Sequence, residues 1–83
     1  MVTPTMINKK EEKVNGIIEL ISGLEFSSHT RLGDYWHNTY YFRDNSEYHI
    51  FTENGTTRVE FRGRGLGARI FRYANWLKAH LMK

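Results

Sequence analysis

Asn54-Gly55 constrains this chain more than any other pair of residues. Asn and Gly take positive φ at the lowest cost, and both central positions of a type I′ hairpin loop require it. The pair sits between two stretches of alternating character, EYHIFTE and TTRVEFR. A two-residue loop sets Glu53 against Thr56 and so fixes every later pair. Ile50 then faces Val59 and Tyr48 faces Phe61 on one side of the ribbon. On the other side Glu47 faces Arg62, His49 faces Glu60 and Phe51 faces Arg58. One face is apolar, and the other holds opposite-charge and cation–aromatic pairs. A slip of one residue would destroy both patterns at once.

A further strand, Tyr35 to Arg43, precedes this hairpin and turns at Asp44-Asn45-Ser46. A three-residue loop would pair Arg43 with Glu47, Phe42 with Tyr48 and Tyr40 with Ile50. Trp36, Tyr40 and Phe42 then lie on the apolar side. Tyr35, His37 and Tyr41 lie outside with His49, with Glu53 and Glu60 opposite the two histidines. Residues 26–33, FSSHTRLG, read as a loop from their Ser, Thr and Gly content. Upstream, Asn8-Lys9-Lys10-Glu11 has the form of a capping box, so the first helix is expected to start at Asn8 behind a mobile tail over residues 1–7. Val14, Ile17, Ile18 and Ile21 give that helix its apolar stripe. Gly16 hints at close packing, and Gly23 is a C′ stop. The last helix is expected over Leu66 to Met82. The expected architecture is a small α+β domain over residues 8–83, in the order α-β-β-β-α. Its three-stranded antiparallel sheet carries two helices on one face. Val14, Ile17, Ile21, Ile50, Val59, Phe61, Ile70 and Leu77 should be buried together.

With 83 residues, the chain is near the lower size at which a core holds without staples. It has no cysteine, which excludes disulfides and thiolate metal sites. No segment has the length and apolarity of a membrane span, and the N-terminus has no apolar signal-like run. A non-secreted, cytoplasmic protein is the expectation, with no membrane contact and a monomeric or weakly dimeric state.

Charge is unevenly placed. Residues 1–57 carry five basic and eight acidic side chains, a balance of −3. Residues 58–83 carry seven basic side chains against Glu60 alone, a balance of +6. Arginine dominates there, which suits bidentate contacts with phosphate or carboxylate. Gly63-Arg64-Gly65-Leu66-Gly67 leads into the last helix, whose free N–H groups attract anions. On that helix Arg69, Arg72, Trp76, His80 and Lys83 fall on one side, away from the apolar stripe. Guanidiniums beside an indole suit phosphate pairing combined with base stacking. A merely solvated basic face has the same composition.

The element order resembles that of the double-stranded RNA-binding domain, over about residues 8–82. That family carries a basic cluster at the start of its last helix. Ala68-Arg69-Ile70-Phe71-Arg72 keeps two of its three basic positions, and Ala74 and Ala79 stand where the family favours alanine. The family's first hairpin loop has no counterpart here, and Asp44-Asn45-Ser46 is too short to span a minor groove. The resemblance implies a basic last helix lying on a nucleic-acid backbone.

Four histidines show no metal-ligand spacing, so no metal or cofactor is expected, and no catalytic set converges. The reading is therefore a nucleic-acid-binding module rather than an enzyme. It would use Arg62, Arg64, Gly65, Arg69, Arg72, Trp76 and His80. The alternative is a small inhibitor or adaptor of the phage or mobile-element kind, anti-CRISPR-like. Such a protein would dock the same surface on an acidic protein or nucleoprotein.

Overall fold

The computed structural model describes residues 3–81, with side chains from Lys9 onward. Its elements are α1 (Thr3–Ser22), β1 (Leu24–Leu32), β2 (Tyr35–Phe42), β3 (Glu47–Glu53), β4 (Thr56–Arg62) and α2 (Gly67–Leu81). The strands form one antiparallel meander in the order β1-β2-β3-β4. The domain is thus α+β with two helices and an antiparallel sheet, but the sheet has four strands, not three. The stretch expected to be a loop is β1. It was hidden because it is exposed on both sides, so no apolar alternation marks it. The extra strand also breaks the element order on which the likeness to the double-stranded RNA-binding domain rested.

Asn54 and Gly55 both have positive φ, and the β3–β4 pairs run from Glu53↔Thr56 to Glu47↔Arg62 as the two-residue loop requires. The β1–β2 loop is also two residues, Gly33-Asp34, with positive φ at Gly33 and pairing of Leu32 with Tyr35. Between β2 and β3 the register differs from the expected one by two positions. Tyr41 faces Glu47, Tyr40 faces Tyr48 and Asn38 faces Ile50. An even shift leaves each side chain on its face. It lengthens the connection so that Asp44 and Ser46 can reach the start of α2.

The core lies under α2. Phe42, Tyr48 and Ala68 are buried at its centre, with Leu24, Tyr40, Ile50, Val59, Phe61 and Phe71 packed around them. Phe71 is the helix's anchor, its ring 4.8 Å from Tyr40 and 5.4 Å from Phe42 between centroids. The expected core is corrected on the helices. Ile18 is buried on α1, whereas Ile17 and Ile21 are more than half exposed. Ile70 and Leu77 of α2 are also exposed. The cause is that α1 packs beside α2 and, among the strands, meets mainly β1, so it does not lie flat on the sheet. Lys78 Nζ donates to Asn15 Oδ1 at 2.8 Å, and Gly67 is close against the Ser22 carbonyl. Gly16 lies against nothing, so the close packing expected there is not formed.

α1 begins at Thr3, which places Asn8 inside the helix and not at its N-cap. Gly23 ends the helix with positive φ, its N–H bonded to the Glu19 carbonyl. Positions 1 and 2 of the tail, and Met82 and Lys83 of the last helix, lie outside the described residues.

Candidate functional site

α2 crosses the sheet so that one flank meets α1 and the other overhangs β4. Arg69 and Arg72 lie on the β4 flank, three positions apart, and both reach back over Phe61. Their guanidinium carbons are 4.8 Å and 5.7 Å from the Phe61 centroid. Tyr73 and Trp76 complete a shallow cleft of about 280 Å³ lined by Phe61, Arg69, Arg72, Tyr73 and Trp76. Tyr73, Trp76 and His80 run up the helix as a ladder of rings, with centroids 6.0 Å and 4.2 Å apart. The His80 ring donates Nδ1–H to the Trp76 carbonyl at 3.0 Å, which holds it against the indole. Trp76 is 54% exposed. Among the described residues neither Arg69 nor Arg72 has a carboxylate within salt-bridge distance. The cleft therefore offers two unneutralised guanidiniums, three aromatic rings and a rigid helical backbone. Arg72 also borders a second hollow, lined by Tyr40, Tyr48, Ile50, Phe71 and Asn75. Burial there pushes the Tyr48 phenol up, and the nearby Arg72 charge opposes this.

The other expected residues do not join this cleft. Arg62 follows Phe61 on β4 and so points to the opposite side of the sheet. There its Nε donates to Glu60, which Arg58 also approaches. Arg64 is exposed in the turn. Gly65 and the start of α2 serve a different end. The Gly67 N–H donates to Asp44 Oδ2 at 2.7 Å, and the Ala68 N–H donates to Ser46 Oγ at 2.9 Å. Ser46 in turn donates its hydroxyl and its backbone N–H to Asp44 Oδ1. The helix terminus already holds an anion, and it is the chain's own carboxylate. Those bonds hold the Asp44 carboxyl below the usual carboxylate range, with the Ser46 hydroxyl the largest cause. A Cβ on Gly65 would land on that carboxylate, and one on Gly67 would strike the Ser22 carbonyl and Phe42. The glycines of the turn are thus explained by close internal packing.

The helix-free face of the sheet carries a second polar cluster. Glu47 Oε1 lies 2.8 Å from His49 Nε2, and His49 Nδ1 lies 3.2 Å from Thr39 Oγ1 and 3.0 Å from His37 Nε2. If the Nε2–H of His49 donates to Glu47, its Nδ1 accepts through its single lone pair, and Thr39 Oγ1, which also lies 3.0 Å from His37 Nε2, closes the triangle. Thr39 and His49 are each only 3% exposed. Phe51 stacks on His37 at 4.2 Å, and Arg58 covers Phe51. Across the strands His37 faces Phe51, not the expected Glu53, because of the two-residue shift. Among the described residues no buried side-chain polar atom lacks a partner, and no three His, Cys, Asp or Glu side chains are grouped as metal ligands. The cluster is a closed network that stiffens the sheet centre.

No protein-family model matches the chain, and no curated protein or solved structure matches it either.

Proposed function

We propose that this domain is a nucleic-acid-binding module that contacts its ligand with the β4 flank of α2. The observation that carries the reading is the cleft itself, in which Arg69 and Arg72 stand over Phe61 beside Tyr73 and Trp76 without acidic partners among the described residues. In this reading the two guanidiniums pair with phosphates, and the Tyr73–Trp76–His80 ladder offers ring faces to unpaired bases. Arg64 adds charge from the turn. Arg62 and Gly65 take no part, because the first is tied to Glu60 on the far face and the second makes room for Asp44. The segregation of charge, +6 over residues 58–83, supports a polyanionic ligand on this side.

The test is a salt series on binding to random duplex DNA, single-stranded DNA and duplex RNA. A steep loss of affinity with salt is expected, because phosphate neutralisation releases counterions. Changing Arg69 and Arg72 together to Ala should lower the slope of log K against log salt by about 2, one unit for each lost phosphate contact. Trp76→Ala should weaken single-strand binding by about 1–3 kcal/mol with little change in slope, since stacking is not ionic. Absence of binding to all three ligands at low salt would overturn the reading. It would favour the inhibitor or adaptor role, for which exposed Trp, Tyr and Arg are the usual anchors of a protein interface.

A further inference from the structure

A folded monomer of 9.9 kDa exposes about 5,200 Å² by the usual scaling of surface with mass. This chain exposes 6533 Å². Its radius of gyration is 14.2 Å, where about 12 Å is usual for this length. The molecule is flat, 37 × 32 × 21 Å, and only Ile18, Phe42, Tyr48 and Ala68 of its apolar side chains are buried among the described residues. The exposed apolar remainder is not scattered. Leu20 is 77% exposed and points directly away from α2, since on the helical wheel it lies about 160° from the buried Ile18. Ile17 and Ile21 lie between those two directions, on the flank opposite Glu12 and Glu19. α1 itself meets β1, the outermost strand on this side.

β1 is an open edge, bulged only near its start between Leu24 and Phe26 and charged at Glu25 and Arg31. It is nine residues long, has neither proline nor lysine, and is exposed along its length. One row of its backbone N–H and C=O groups is unpaired, and Phe26 and Leu32 are exposed on its surface. Edges of this kind template strand addition. The opposite edge, β4, borders the Arg69–Arg72 cleft, whose like charges oppose self-association there.

We propose that two copies of this chain pair through β1, antiparallel about a two-fold axis near Ser28, with the Ile17–Leu20–Ile21 flanks of the two α1 helices packed together over the joined strands. A two-fold axis normal to the sheet keeps all four helices on one face and joins two four-stranded sheets into one of eight. The arrangement closes both β1 edges and places the two basic clefts at opposite ends of the assembly. The surface in excess over a compact chain of this mass is about 1,300 Å² for the whole chain, and a standard interface removes roughly 800 Å² per partner. This inference does not depend on what the cleft binds.

The test is sedimentation equilibrium on the full chain across a range of concentrations, with hydrogen exchange on the same samples. The expected result is a species of twice the 9.9 kDa chain mass, together with slow exchange at the β1 amides that point away from β2. Changing Ile17 and Ile21 together to Glu should weaken the dimer at least tenfold and release those amides. Ser28→Lys, on an exposed strand position, sets like charges opposite each other at the axis and should do the same without touching the helices. A chain that stays monomeric at the highest concentration overturns the proposal. So does a dimer whose dissociation constant is unmoved by Ser28→Lys, or one that Trp76→Ala breaks instead.

Discussion

Asp44 shows how much one side chain organises here. It stands in the β2–β3 turn, 23 positions before the N–H group it accepts from. α2 begins behind Leu66, which has no side-chain acceptor, so its first N–H groups would be orphaned without help from elsewhere. Asp44 and Ser46 supply that help across the fold, and a carboxylate also suits the positive end of the helix. Asp44→Ala should therefore lower stability by about 1–2 kcal/mol, the upper range for loss of a cap, as read in urea melts. Asp44→Asn should lose less, because one oxygen remains to accept. Gly65→Ala should resemble Asp44→Ala, since the added carbon displaces the carboxylate. An unchanged urea midpoint in Asp44→Ala would mean that the turn and the helix are not coupled.

At the scale of elements, two things decided what was legible in the sequence. Where turn chemistry and alternation agree, as around Asn54-Gly55, the whole β3–β4 register followed. Where one of them is missing, it did not. β1 has no alternation because neither of its faces is covered, and the signal available was Gly33-Asp34 between Leu32 and Tyr35, a two-residue hairpin loop in its own right. The β2–β3 register moved because Asp44 and Ser46 serve a helix far along the chain, which local turn rules do not see. The candidate cleft divides in the same way. The helical wheel groups Arg69, Arg72 and Trp76, but the wall formed by Phe61 depends on how α2 crosses β4. Alternation already sends Arg62 to the side opposite Phe61. α1 is the sharpest case. Its periodicity offers Ile17, Ile18 and Ile21 equally, and only the side-by-side packing on α2 selects Ile18. Ile18→Ala should accordingly cost about 2–4 kcal/mol, and Ile21→Ala under about 1 kcal/mol in dilute protein. Thermal melts in which Ile21→Ala is the costlier change would mean that α1 is rolled onto the sheet.

For the molecule as a whole, the titratable groups bound the range of pH in which it is most stable. Among the described residues no helix is long and apolar enough to cross a membrane. His37 sits in the sheet-face network with its pKa held below the ordinary 6.5, first by burial, then by His49 and Arg62, against the opposing pull of Glu60. A histidine depressed in this way binds fewer protons folded than unfolded. Its contribution is complete above pH 6.5 and is lost as pH falls through the folded value. Asp44 is also depressed, so its contribution is kept down to its ordinary 3.8 and lost below that. Tyr48 is raised by burial, so the folded chain keeps that proton longer, and stability falls as pH rises past the ordinary 10.0. The expected profile is a plateau between about pH 6.5 and 10 with a two-step acid limb, measured by urea melts at one fixed protein concentration. His37→Gln should flatten the upper acid step and leave the lower one. Tyr48→Phe should flatten the alkaline limb alone. If stability instead rose steadily from pH 8 down to pH 5, the imidazoles would be gaining protons on folding. The Glu47–His49–Thr39–His37 network would then have to be redrawn with a charged histidine at its centre.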